Sequence, residues 1–188
     1  MILIPFYDIF PEIAKEESRC FHLLQNDEDL EAPPKGSYRL VELYCPDQNC
    51  DCRRVNIVII SNEDEKEYGT IQFGWENQAF YNDHFGFDDH GLPGPDYAPM
   101  QFLGKYAHFF LYKFKELCAT DKSYVALLER HYNMLKEKSR NQDLLKLVRK
   151  RMAEKNTYRK PDDGLKRNNQ CSCGSGKKYK KCCLYQTI

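Results

Sequence analysis

The sequence predicts an α+β fold in which a small antiparallel sheet is packed by helices and followed by a separate cysteine-rich segment. Three runs of strand-like composition succeed one another between residues 38 and 75, and amphipathic helical periodicity dominates from 99 to 155. Four of the nine cysteines lie in the last 18 residues, which contain few large apolar side chains. With 188 residues, the chain has room for one globular domain and an appendage.

The first predicted element is a helix over about 11–24. Pro11 suits the first turn of a helix, where its missing N–H has no intrahelical partner, and apolar residues follow it at near-helical spacing. The segment 26–37 contains two consecutive prolines and a glycine and predicts a loop.

The sheet is predicted from three runs rich in β-branched and aromatic residues. The second run, which includes four β-branched residues in succession from Ile57 to Ile60, has the composition of a central strand. Because the connections are short, we expect an antiparallel meander. The three runs are Tyr38–Cys45, Arg53–Asn62 and Tyr68–Trp75.

Helices are predicted in the second half of the chain. Residues 82–98 contain three glycines and two prolines and are expected to interrupt regular structure. An aromatic stripe then predicts a helix over about 99–118. Asp121 can cap a second helix that runs to about 138, and Asn141 can cap a third.

The formal net charge is zero, but the charges are unevenly distributed. Residues 1–135 contain 12 Lys and Arg against 23 Asp and Glu, whereas residues 136–188 contain 16 against 5. This asymmetry is typical of a basic segment that binds an anionic partner, of self-association between opposite ends, or of a solvated basic helix. RNA or ribosome binding by the helix at 141–155 and the tail lysines is therefore one functional hypothesis.

The nine cysteines and the apolar content bear on location. We expect a reducing compartment, in which cysteines serve metal sites rather than disulfides, because the N-terminus lacks the basic start of a signal peptide. No apolar run approaches the roughly 20 residues that span a bilayer. The expectation is a soluble cytoplasmic protein that does not insert into membranes, with its oligomeric state left open.

The terminal cysteines have the spacing of a structural zinc site. Cys171-x-Cys173 and Cys182-Cys183 can supply four thiolates to one tetrahedral Zn²⁺, which leaves no position open for a substrate. The two glycines between the pairs suit the backbone reversal beside the metal. Nearby lysines should favour the ionised thiolates and are candidate partner-binding residues: Lys177, Lys178, Lys180 and Lys181. We therefore predict a C-terminal zinc knuckle over 168–188, a linker over 156–167 and a globular domain over 1–155.

The segment from Asn168 to Cys183 resembles the SEC-C motif, the zinc-binding tail of the SecA preprotein-translocation ATPase that is also found on many bacterial proteins. It reads Asn-Asn-Gln-Cys-Ser-Cys-Gly-Ser-Gly-Lys-Lys-Tyr-Lys-Lys-Cys-Cys. In SecA this tail contacts the chaperone SecB and the ribosome, so the resemblance implies a zinc module and a protein-binding role. It covers about twenty residues, no SecA motor motif precedes it, and translocation ATPase activity is not implied.

A second candidate metal site lies between the first two predicted strands. Cys45, Cys50 and Cys52 resemble part of a zinc knuckle, and the following arginines would favour thiolates. Some bacterial proteins with this tail have a similar Tyr-Cys and Cys-Asp-Cys-Arg-Arg-Val segment. A fourth ligand is missing locally; His84, His90 and Cys118 are the candidates. Reduced cysteines in a hairpin turn, or a redox role for Cys50-x-Cys52, are the alternatives.

The loop around residue 86 contains further metal-ligand residues. A metal-dependent hydrolase would need such groups and an open coordination position, and the residues are Asp83, His84, Asp88 and His90. The same residue types are common in exposed turns, and we expect no catalytic residues and no enzymatic role. His131 lies on the apolar face of its helix and is predicted to be a satisfied core histidine. The leading hypothesis is a non-enzymatic zinc-binding adaptor.

Overall fold

The computed structural model describes residues 2–24, 32–87, 91–99 and 103–157, together with Asn168 and Lys178. Six strands and six helices occur in these ranges. In chain order they are β1 (Ile4–Pro5), α1 (Phe6–Ile9), α2 (Pro11–Glu17), β2 (Cys20–Leu23), β3 (Gly36–Tyr44), β4 (Arg54–Ser61), β5 (Glu67–Gly74), α3 (Gln78–Phe85), β6 (Asp96–Tyr97), α4 (Ala107–Thr120), α5 (Lys122–Asn141) and α6 (Leu144–Thr157).

The strands form one antiparallel sheet in the order β1-β3-β4-β5-β6, and β2 also pairs with β3. The central meander is the predicted one: Val41 of β3 lies opposite Val58 of β4, and Ile57 lies opposite Ile71 of β5. The predicted α+β class is therefore confirmed, and the β-branched residues of β4 occupy a central strand.

The core lies between one face of the sheet and helices α1, α4 and α5. Tyr38, Leu40, Glu42 and Tyr44 alternate on the buried side of β3. Phe110 of α4 is fully buried and its ring packs against Tyr38, with ring centroids 4.8 Å apart. Aromatic contacts of this kind stabilise a core beyond the apolar area that they bury. The residues up to Val148 form one compact unit.

The predicted helix over 11–24 is wrong in its second half. α2 ends at Glu17, and Cys20–Leu23 form β2 instead. The backbone of β2 pairs with β3 from Cys20–Arg39 to Leu23–Gly36, so this sheet edge is covered. Apolar spacing alone does not separate a short helix from a helix followed by a short strand.

Residues 82–98 are more regular than predicted. They include the end of α3 and all of β6. The side chain of Asn77 caps the start of α3 by accepting a hydrogen bond from the Phe80 amide. Gly86 adopts a left-handed conformation at the C-cap, so this glycine ends a helix rather than preventing one.

The helix boundaries later in the chain also differ from the predicted ones. α4 begins at Ala107 rather than near residue 99. Asp121 caps α5 as predicted, since its carboxylate accepts a hydrogen bond from the Tyr124 amide at 3.0 Å. α5 continues through Asn141, and Asp143 accepts the Lys146 amide at the start of α6, so the predicted Asn141 cap is wrong.

The boundaries predicted at residues 155 and 167 stay a prediction. Among the helices of the described ranges, none has the combination of length and apolar character required to cross a membrane.

Candidate metal centre

Three cysteine thiols converge where β3 gives way to β4. Cys45 directly follows β3, and Cys50 and Cys52 precede β4. Their Sγ atoms all lie within 4.8 Å of one another. Cys45 and Cys52 are buried and Cys50 is half-buried. The structure therefore brings together the three cysteines that the sequence grouped, and the group is compatible with zinc binding.

The connection that carries the thiols is held by its own polar groups. The Asp47 carboxylate accepts a hydrogen bond from the Asn49 amide at 2.9 Å, and the Asp47 carbonyl accepts one from the Cys50 amide at 3.2 Å. This compact turn brings Cys50 back toward Cys45. Arg53, which follows Cys52, has a φ of 39°, an uncommon left-handed conformation for a non-glycine residue.

Helix α5 packs against this connection and donates hydrogen bonds to its backbone. Lys136 is buried, and its Nζ donates hydrogen bonds to the carbonyls of Asp47 and Cys50, both at 2.6 Å. The hydroxyl of Tyr132 accepts a bond from the Arg53 amide at 3.3 Å and donates one to Asp51 at 3.2 Å. One helix thus fixes the backbone on both sides of Cys50 and Cys52.

The pKa values of the three thiols are shifted in different directions. Hydrogen bonding from Cys52, together with the Asp47 backbone and the nearby Lys136 ammonium, lowers the pKa of Cys45 to about 5 despite burial. Hydrogen bonding to Cys45 and burial raise the pKa of Cys52, and burial and the Cys45 charge raise that of Cys50. The arrangement favours one thiolate, which accepts hydrogen bonds from the neighbouring thiols. A thiophilic cation can take the place of the shared thiol protons.

Among the predicted fourth ligands, His84 contacts the thiol group. It is on α3, and its Nε2 is 4.0 Å from Cys50 Sγ. Cys118 is buried on α4 and is not part of the group of sulfurs. His90 lies outside the described residues.

Tyr81 attaches α3 to the thiol-bearing connection. Its hydroxyl donates to the Arg53 carbonyl at 2.7 Å and accepts from the Glu76 amide at 3.2 Å. The hydroxyl occupies the space beside Gly74 of β5, where an added Cβ would lie 2.1 Å from the Tyr81 oxygen. Gly74 therefore permits a close approach between the strand and the helix.

The predicted hydrolytic constellation is described only in part. Asp83 and His84 are consecutive residues of α3, and consecutive helical side chains do not face each other. Asp88 and His90 lie outside the described residues. His84 is placed beside Cys50 rather than in a separate site.

A second polar cluster was predicted only through its histidine. His131 is buried, its Nδ1 is 2.7 Å from Glu42 Oε2, and its Nε2 is 2.8 Å from Glu17 Oε2. Glu42 also accepts a hydrogen bond from the Tyr44 hydroxyl at 2.9 Å. The prediction of a satisfied core histidine is confirmed, but its carboxylate partners were missed. The signal was Glu42 at an inward position of an alternating strand.

The tail cysteines Cys171, Cys173, Cys182 and Cys183 lie outside the described residues, as do Lys177, Lys180 and Lys181. Lys178 is described and exposed. The predicted terminal ligand set therefore stays a prediction.

Comparison with known proteins identifies the tail. The family described as the SEC-C motif matches residues 167–184, a range that contains all four tail cysteines. A UPF0225 protein of Photorhabdus laumondii is 68% identical over 28 residues, which are 13% of this chain and 18% of that relative. The chain thus spans less than a fifth of the length of the relative that it matches. No solved structure matches the chain significantly. The chain therefore carries a SEC-C motif at residues 167–184.

Proposed function

We propose that this protein is a zinc-binding adaptor whose tail, ordered by a structural Cys₄ zinc site, contacts a chaperone or the ribosome. The match of residues 167–184 to the SEC-C motif carries this proposal. A four-thiolate site is coordinatively closed, so the ion shapes the segment instead of activating water. Binding of the ion supplies folding free energy to a segment with few apolar residues.

The charge of the tail supports a role in recognition. Four lysines separate the two cysteine pairs, and a closed Cys₄–Zn²⁺ site carries a formal charge of −2. Some lysine charge offsets the site, and the remainder is available to an acidic surface. The thiol group of the folded unit is also compatible with zinc, which fits a protein that depends on this metal.

Binding of the full-length protein to purified SecB and to purified ribosomes tests the proposal. We expect binding to one of them, and a loss of at least about tenfold when the four tail cysteines are replaced by serine. Replacing Lys177, Lys178, Lys180 and Lys181 by glutamine should weaken binding similarly. Lys146→Gln/Arg149→Gln is a control for loss of charge elsewhere, because it removes two positive charges from α6 and leaves the motif intact.

The outcomes separate the proposal from its alternatives. Equal binding by the wild type and the cysteine variant, or no binding to either probe, would contradict a zinc-ordered adaptor. If the α6 control loses as much affinity as the tail variant, and binding to protein-free ribosomal RNA falls steeply with salt, the RNA-binding alternative is supported instead.

A further inference from the structure

We propose that Cys45, Cys50, Cys52 and His84 bind one structural zinc ion within the folded unit, independently of the tail. This site goes beyond the proposed adaptor function, because it joins the β3–β4 connection to α3 and does not involve the SEC-C motif. The ligand set is Cys₃His, a common composition of closed zinc sites.

The sulfur positions require only a small contraction. At about 2.3 Å per zinc–sulfur bond, tetrahedral geometry places ligand sulfurs about 3.8 Å apart. The three Sγ atoms already lie within 4.8 Å of one another, on a connection only eight residues long from Cys45 to Cys52. Movements of about 1 Å or less therefore bring the thiols to ligand distances.

His84 supplies the fourth group. A zinc–nitrogen bond of about 2.0 Å places the ligand nitrogen about 3.5 Å from a ligand sulfur, and the Nε2 of His84 is 4.0 Å from Cys50 Sγ. The four ligand atoms do not yet all lie within 4.8 Å of one another, so the imidazole must approach Cys45 or Cys52 to close the tetrahedron. His84 is half-buried in the last turn of α3. Its ring packs against Phe80 and Phe85, with centroids 5.9 Å and 4.7 Å away, so these rings must adjust as the imidazole approaches the thiols.

The surroundings favour a bound cation with three thiolates. Zn²⁺, three thiolates and a neutral imidazole carry a formal charge of −1. The buried ammonium of Lys136 contacts the Asp47 and Cys50 carbonyls beside the thiols, where its positive charge offsets this excess. The Tyr81 hydroxyl bonds the Arg53 carbonyl, so α3 is attached to the residue that follows Cys52. Groups that hold ligands in this way commonly control metal affinity.

The experiment uses the full-length chain with all four tail cysteines replaced by serine, so that any zinc reports on the folded unit. We expect one zinc per chain, and X-ray absorption should give three sulfur neighbours at about 2.3 Å and one nitrogen at about 2.0 Å. His84→Ala should lower the zinc affinity by more than about 100-fold, since even groups outside the ligand shell alter it 10- to 100-fold. His84→Cys should retain zinc with four sulfur neighbours.

His22→Ala is the matched control, because His22 is exposed and its ring bonds Ser37 instead. An unchanged zinc affinity in His84→Ala, or a zinc-free protein when the tail cysteines are absent, would overturn the proposal. Because His84 is half-buried, its alanine variant should fold and keep the question answerable; circular dichroism checks this. Neither outcome depends on partner binding, so failure of the adaptor proposal would leave this test unaffected.

Discussion

Two polar clusters pack against α5, and they differ in how their polar groups are satisfied. In the carboxylate cluster, His131 lies between Glu17 and Glu42, with the Tyr44 hydroxyl on Glu42. In the thiol cluster, the Sγ atoms of Cys45, Cys50 and Cys52 all lie within 4.8 Å of one another. The carboxylate cluster is built from α2, β3 and α5, whereas the thiols lie on the β3–β4 connection that α5 contacts.

The difference teaches what each cluster can do. In the carboxylate cluster, both imidazole nitrogens of His131 have a carboxylate partner, and hydrogen bonds between charged groups are strong. Thiols are weaker hydrogen-bond partners than carboxylates, and their thiolates are strong ligands for a soft cation. The convergence of three thiols, each of which can become a metal ligand, therefore distinguishes the thiol cluster.

The largest effect is expected in the carboxylate cluster. His131→Ala leaves the buried Glu42 carboxylate without its imidazole partner, and we expect the free energy of unfolding to fall by about 3–5 kcal/mol. Zinc content should not change, because the thiol cluster is intact. Urea unfolding and metal analysis measure the two quantities. His108→Ala, at an exposed ring that bonds Tyr97, is the control, with an expected change below about 0.5 kcal/mol.

A loss of zinc from His131→Ala would contradict the separation of the two clusters. So would a change in stability below about 1 kcal/mol, since it would mean that the buried pair is not a principal contact.

An intermediate effect is expected at the support of the thiol cluster. Lys136→Met removes the donor to the Asp47 and Cys50 carbonyls, and we expect a loss of about 2 kcal/mol in unfolding free energy. Zinc affinity of the folded unit should fall about tenfold, as for other groups that orient ligands. Competition with a chromophoric chelator measures it in the variant without tail cysteines. The exposed Lys115→Met provides the matched control, and equal zinc affinity in the two lysine variants would argue against a supporting role.

The smallest effect is expected from the partly exposed carboxylate. Hydrogen bonds from Arg130 and His131 lower the pKa of Glu17 from 4.5 to about 2, so its stabilising contribution is present above pH 4.5 and is lost as the pH falls toward 2. Glu17→Gln should therefore destabilise the protein by about 1 kcal/mol near pH 6 and by progressively less below pH 4.5. Unfolding of both proteins in the same buffers isolates this difference from any acid-driven release of metal.

The contribution of His131 to stability depends on pH in the opposite direction to that of Glu17. Burial alone would lower the pKa of His131, but the carboxylates of Glu42 and Glu17 outweigh burial and raise it above 6.5. The contribution of the imidazolium is complete below pH 6.5 and is lost as the pH rises through the raised pKa. The Glu17→Gln variant tests the lowered pKa of Glu17. A difference in unfolding free energy between wild type and this variant that grows as the pH falls would contradict it.

Local sequence signals located much of the sheet and one helix start. The β-branched run of β4 identified a central strand, and Asp121 marked the start of α5, because both depend on neighbouring residues. Gly86 misled the prediction, since a glycine that interrupts regular structure and one that caps a helix look alike in sequence.

Long-range partners were harder to predict. Glu17 meets His131 across 114 residues, and no local pattern encodes that contact. The three cysteines were grouped correctly because they lie within eight residues of one another. His84 could be named only as one of three candidates, because its proximity to Cys50 depends on how α3 docks.

The docking of Tyr81 beside Gly74 has a consequence for how α3 is positioned. A helix of eight residues is too short to be stable in isolation, so its position must come from the sheet against which it rests. The Tyr81 hydroxyl occupies the space beside Gly74, and His84 belongs to the same helix as Tyr81. A substitution that adds a Cβ at position 74 would displace the Tyr81 hydroxyl, and through α3 it would move His84 relative to the thiols.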